Sequence, residues 1–166
     1  MNKWIEGARP RTLPAAIAPV VVATALAYKV HGVNWINALL ALIVGVAMQV
    51  GVNYSNDYSD GIKGTDSNRV GPMRLVGSGA ASASQVKRAA LLTYFIGACA
   101  GLILALRTSI LLTIVGAIAI VAAWTYTGSS KPYGYRGFGE ISVFVFFGIV
   151  ATNGTFYAET KHFSGW

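Results

Sequence analysis

Between residues 36 and 55 the chain reads INALLALIVGVAMQVGVNYS, without a single charge. A run of about 18 or more mostly apolar residues is long enough to cross the hydrocarbon core of a bilayer as a helix. Similar runs occupy 13–30 and 108–127, and two more interrupted ones lie at 88–106 and 138–157. We therefore expect an all-α membrane protein with about five transmembrane helices, residues 1–166 forming one membrane domain. With 54% hydrophobic and only 11% charged residues, the chain lacks the polar surface that a water-soluble body needs.

The net charge of +7 would point to nucleic acid in a soluble protein, but in a membrane protein topology explains it, because cytoplasmic loops collect Lys and Arg. With the N-terminus in the cytoplasm, Lys3, Arg9, Arg11, Lys63, Arg69, Arg74, Lys87, Arg88, Lys131 and Arg136 fall inside, and only Lys29, Arg107 and Lys161 fall outside. That asymmetry sets the orientation, names the lipid bilayer as the partner and leaves no need for nucleic acid. Cys99 is the single cysteine, so neither a disulfide framework nor a thiolate metal site is expected. The run at 13–30 carries Pro14 and Pro19 and lacks a small-residue cleavage site, so it is expected to stay in the mature protein. Before it, Met1 to Thr12 is basic and amphipathic, with Trp4 and Ile5 placed for the membrane surface. Ser84 is the expected cap of the third span.

All three aspartates, Asp57, Asp60 and Asp66, lie in NDYSDGIKGTD at 56–66, where the second apolar run ends. On a helix at 100° per residue, Gln49, Asn53, Asn56, Asp57 and Asp60 fall in one stripe about 16 Å long. An aspartate near the bilayer centre costs about 2.5–3.5 kcal/mol, so the stripe is expected to face other helices or a wet cavity. Interhelical hydrogen bonding accounts for Gln49 and Asn53. It does not account for Asp57 and Asp60, which repel each other one turn apart unless a cation intervenes, either a base of the chain or a divalent ion. Magnesium suits such a site, because it prefers oxygen ligands and is usually held by one or two carboxylates together with substrate phosphates. Lys63, Arg69 and Arg74 are the counter-charges that an organic diphosphate would need. The competing reading is a structural cluster or an ion pathway.

Three segments, ARPRTLPAAIAPV, GVNYSNDYSDGIKGTDSNRVGPMRLVGSG and YTGSSKPYGYRGFGEISVFVFFG, resemble the UbiA family of intramembrane prenyltransferases, and within it the menaquinone-pathway branch. The likeness covers nearly all of residues 4–157. It implies the first half of a nine-helix bundle in a bacterial cell membrane. The implied activity is Mg2+-dependent transfer of a polyprenyl group from polyprenyl diphosphate to 1,4-dihydroxy-2-naphthoate, giving demethylmenaquinone with loss of CO2 and diphosphate. Carried over by motif, Asn56, Asp57 and Asp60 hold the magnesium against the diphosphate, Asn53 supports them and Asp66 is an outlying third acid. Lys63, Arg69 and Arg74 grip phosphate oxygens. Tyr126 and Lys131 resemble the family's tyrosine–lysine pair, at a spacing one residue longer than the common form. The family's second aspartate-rich motif has no counterpart, since no Asp follows Asp66, so the sequence is expected to be the N-terminal portion of such a bundle. Trp124, Tyr126, Phe144, Phe146 and Phe147 are candidates to shield a carbocation or simply to pack. Glu140 suits a helix N-terminus, and His31 and His162 carry no expected chemistry. Two alternatives stay open: a prenyltransferase with another aromatic acceptor, and a membrane ion carrier.

Overall fold

The computed structural model describes residues 2–65, 73–129 and 131–163, whose regular structure is helical throughout. In chain order the helices are α1 (Lys3–Gly7), α2 (Pro14–Lys29), α3 (Trp35–Lys63), α4 (Ala83–Arg107), α5 (Leu111–Gly128), α6 (Gly139–Val143) and α7 (Thr152–Thr160). Tight 3-10 turns cover Pro10–Thr12 and Tyr133–Arg136, and a π-helical segment, Phe144–Ala151, joins α6 to α7. Among the described residues four helices are long and apolar enough to span a bilayer: α3, α4, α5 and the composite Gly139–Thr160. The fifth expected span is shorter. At 16 residues, α2 is about 24 Å long, and it reaches spanning length only together with Lys3–Thr12, from which it is bent by 50°.

Local chemistry sets the ends. Pro14 starts α2, where its missing N–H costs nothing. The Asn34 side chain caps α3 by accepting from the Asn37 backbone N–H, and Gly64 ends it at φ 71°, the left-handed conformation that suits glycine. Helix α4 corrects one expectation. Ser84 lies inside it, and Ser82 is the cap, its hydroxyl accepting from the Gln85 N–H while the Gln85 side chain accepts from the Ser82 N–H. Gln85 stands three residues after Ser82, as that reciprocal arrangement requires, whereas Lys87 three residues after Ser84 cannot return the bond.

Helix α3 is the hub, packed against α2, α4, α5 and α7. Its seam with α4 is made close by small residues, as is usual where van der Waals packing holds membrane helices together: Gly97 sits against Ala47, and the Tyr94 ring lies on Gly51. Tyr54, Leu75, Val86, Ala90 and Tyr94 form the core at that seam. At the opposite end of α3, the buried Asn37 amide donates to the Ala158 carbonyl at 2.6 Å and its oxygen accepts from Arg107 Nε at 2.8 Å. Ile5 is exposed, but Trp4 turns inward, edge-on to Tyr54 with ring centroids 5.9 Å apart, and its carbonyl accepts from the Tyr54 hydroxyl at 2.8 Å. The whole segment is thereby tied to α3.

Candidate functional site

The polar stripe of α3 faces inward as expected: Gln49, Asn53, Asp57 and Asp60 are all buried. Because successive residues turn by 100°, the stripe divides into two rows with different partners. One row, Gln49–Asn53–Asp57, meets the N-terminal segment. Gln49 Nε2 and Asn53 Nδ2 both donate to Thr12 Oγ1, at 3.3 and 2.9 Å, and Asn53 Nδ2 also donates to the Ala8 carbonyl at 2.9 Å. The other row, Asn56–Asp60–Lys63, meets α5 and the turn that follows it.

Asp57 is fully enclosed, with 0% of its side chain exposed. Its Oδ1 accepts from Arg9 at 2.7 Å and from Arg74 at 3.0 Å, and its Oδ2 accepts from the Leu75 backbone N–H at 2.8 Å. The cation needed between the two aspartates is thus supplied, on the Asp57 side, by the chain. Asp60 meets neutral donors instead: its Oδ1 accepts from the Tyr135 hydroxyl. Asn56 Oδ1 accepts from the Thr127 hydroxyl at 2.8 Å. Lys63, expected to grip phosphate, donates to the Thr127 and Ser129 carbonyls, where a cation offsets the negative end of α5. Tyr126 packs edge-on to Tyr133, with ring centroids 5.3 Å apart, and lines a cavity. Lys131 is exposed. Asp66 and Arg69 lie outside the described residues.

Beside the stripe lies a mostly apolar cavity of about 520 Å³, whose polar lining includes Gln49, Asn53 and Asn56 and whose aromatic lining includes Tyr126, Phe146 and Phe147. The π-helical segment supplies the two phenylalanines; single π turns inside α-helices are frequent at functional sites. A cavity of this kind, with few polar groups at one side, is the usual form of a small-molecule site.

The residues present fit magnesium in part. Asn56 and Asp60 are one helical turn apart on one face, offer oxygen, and accept from the Thr127 and Tyr135 hydroxyls, which can rotate away. Asp57 fits less well as a direct ligand, because an ion would have to displace guanidinium groups from a buried ion pair, and breaking such a pair costs about 3–5 kcal/mol. Among the described residues no three acids, histidines or cysteines gather into a metal cage.

Four participants were missed by the sequence reading: Arg9, Thr12, Thr127 and Tyr135. The one local signal is at Arg9, where Pro10 disfavours the right-handed helical region; Arg9 has φ 52°, uncommon outside glycine.

A family model, that of the UbiA prenyltransferase family, matches residues 16–166. Similar curated proteins include the 1,4-dihydroxy-2-naphthoate octaprenyltransferase of Mycobacterium tuberculosis, 60% identical over 95% of this chain and 54% of its own length. The Escherichia coli protein of the same name is 40% identical over 94% of this chain and 53% of its own. The 2-carboxy-1,4-naphthoquinone phytyltransferase of Synechocystis sp. is 25% identical over 97% and 52%. The chain spans about half the length of the curated relatives it matches. No solved structure matches it.

Proposed function

The chain belongs to the UbiA prenyltransferase family, and from that premise we propose that it supplies the first-motif half of a site for Mg2+-dependent prenyl transfer. The donor is a polyprenyl diphosphate and the acceptor 1,4-dihydroxy-2-naphthoate, with CO2 and diphosphate lost and demethylmenaquinone formed. The observation that carries this reading is one stretch of α3 on which Asn56 lines an apolar, aromatic-lined cavity, Asp57 holds two guanidinium groups and Asp60 follows within a turn. The names of the relatives support the acceptor more than the donor. They share a carboxylated naphthalene nucleus and differ between an octaprenyl and a phytyl tail.

In this reading Asn56 and Asp60 hold the magnesium, and Arg9 and Arg74 present positive charge to the diphosphate. Magnesium, when bound, stabilises the charge that develops on the leaving diphosphate as the allylic C–O bond ionises. Such preorganised charge lowers the barrier most where water is excluded, and apolar cavity walls disfavour water. The faces of Tyr126, Phe146 and Phe147 then flank an allylic cation, which aromatic rings stabilise. The excess of Lys and Arg on the segments around the site supports a cytoplasmic N-terminus and a cytoplasmic site mouth. The ion-carrier alternative loses ground at Asp57, since a carboxylate held by two guanidinium groups is a poor stop for a permeating cation.

Membranes containing the protein, given geranylgeranyl or octaprenyl diphosphate and 1,4-dihydroxy-2-naphthoate, are expected to form the prenylated, decarboxylated product by mass spectrometry. Removal of Mg2+ with a chelator should abolish it. Product from 4-hydroxybenzoate and none from the naphthoate would refute the acceptor assignment.

A further inference from the structure

Resting on that reading of the site, we propose that Asp57 is a positioning residue for the diphosphate-binding arginines and not a metal ligand, so that the two aspartates of the α3 stripe divide the labour. The geometry is layered. The Asp57 side chain is 0% exposed, whereas those of Arg9 and Arg74 are 18% and 13% exposed. The carboxylate is therefore enclosed, and the arginine side chains bonded to it are partly exposed. A metal reaching Asp57 Oδ1 would have to displace a guanidinium group.

Neither arginine has a helix of its own to place it. Arg9 stands between α1 and the Pro10–Thr12 turn, in a left-handed conformation that only surrounding contacts sustain. Arg74 stands in the connection between α3 and α4, one residue before the Leu75 N–H that meets the other Asp57 oxygen. Asp57 thus pins two separate connecting segments to the same turn of α3. A guanidinium carries five N–H donors in a rigid fork. One bond from Arg9 to Asp57 fixes the direction of that fork and leaves donors for an anion. Asp60, three residues on, accepts from the neutral Tyr135 hydroxyl and offers a carboxylate to a divalent cation.

The test separates metal from anion. The protein in lipid nanodiscs is titrated with Mn2+ as a spin probe without diphosphate, and with inorganic diphosphate at saturating Mg2+ by calorimetry. Asp57→Asn is expected to weaken diphosphate binding by about tenfold or more, the worth of one charge-assisted hydrogen bond, with the Mn2+ midpoint unchanged within about twofold. Asp60→Asn is expected to shift the Mn2+ midpoint by at least about tenfold. An Asp57→Asn variant that shifts the Mn2+ midpoint as far as Asp60→Asn overturns the proposal. Where Asp57→Asn does not fold, Arg9→Gln and Arg74→Gln carry the test, because each leaves Asp57 one guanidinium. Weaker diphosphate binding with normal Mn2+ binding supports the clamp, and wild-type diphosphate affinity in both overturns it. Wild-type protein that binds no diphosphate with or without Mg2+ would instead sink the reading of the site itself, and the clamp with it.

Discussion

Replacing Gly51 by alanine tests whether the close seam of α3 and α4 holds the site-bearing end of α3 in place. A methyl group built on Gly51 would lie 2.6 Å from Tyr94 Cε1 and 2.7 Å from Cδ1, against 3.4–4 Å for ordinary contact. The ring would have to retreat by about 1 Å. It has little freedom to do so, being 4% exposed with its hydroxyl bonded to Ser55 Oγ at 2.9 Å. Overpacking of this kind costs about 1–3 kcal/mol, and loss of the Tyr94–Ser55 hydrogen bond adds about 0.5–1.5 kcal/mol. Alanine returns about 1 kcal/mol through its better helix propensity. The net expectation is a loss of about 0.5–3.5 kcal/mol. Gly116→Ala on α5 is the control, since nothing lies within 4 Å of its added methyl; it has the propensity gain without the clash. Unfolding by SDS in mixed micelles, followed by far-ultraviolet circular dichroism, measures both. If Gly51→Ala resists SDS as well as Gly116→Ala does, the seam is not the tight contact described and the reasoning fails.

Other expectations concern single contacts. Asp57→Ala leaves two guanidinium groups and a backbone N–H facing an empty space and should cost about 3–5 kcal/mol in the same assay, whereas Asp60→Ala, losing a hydroxyl partner, should cost about 1 kcal/mol. Lys63→Met removes the cation from the carbonyls at the end of α5; a loss of about 0.3–1 kcal/mol is expected, with faster hydrogen exchange in the last turn of α5. Ser82→Ala should destabilise by about 1 kcal/mol through loss of the cap, and Ser84→Ala should stay within about 0.5 kcal/mol of wild type in a parallel melt.

What could be read from the chain, and what could not, follows the range of the forces involved. The spans and the inward face of the stripe are local: apolar length decides the first, and the cost of a carboxylate in lipid decides the second. The cap of α4 was also local, and Ser82 with Gln85 three residues later carried the signal that Ser84 lacked. The amphipathic character of Met1 to Thr12 suggested the membrane surface for Trp4, but no local pattern gave its contact with Tyr54, fifty positions away in sequence. The same limit applies to Lys63, whose ammonium bends to α5 carbonyls that no spacing rule connects to it. Arg9 and Asp57 are 48 positions apart; the sequence showed that Asp57 needed a cation and could not say which one.

That pairing changes how the repulsion between the two aspartates is resolved. If one ion sat between them, both carboxylates would depend on it, and the site would be unstable whenever it was empty. Here Asp57 is offset by two fixed guanidinium groups at 2.7 and 3.0 Å, so the buried end of the stripe is held without any ligand. Asp60 then faces a neighbourhood in which the nearest formal negative charge on its own helix is already compensated. In the proposed site it can exchange a neutral hydroxyl for a divalent cation. The arrangement also favours joint arrival of metal and diphosphate. In the proposed site a diphosphate brings negative charge beside Asp60, which a divalent cation offsets, so each ligand favours the other. On these charges, diphosphate should bind more tightly with Mg2+ present and Mg2+ more tightly with diphosphate present, by the same factor. Unequal factors in matched titrations would show that the two do not share this turn of α3.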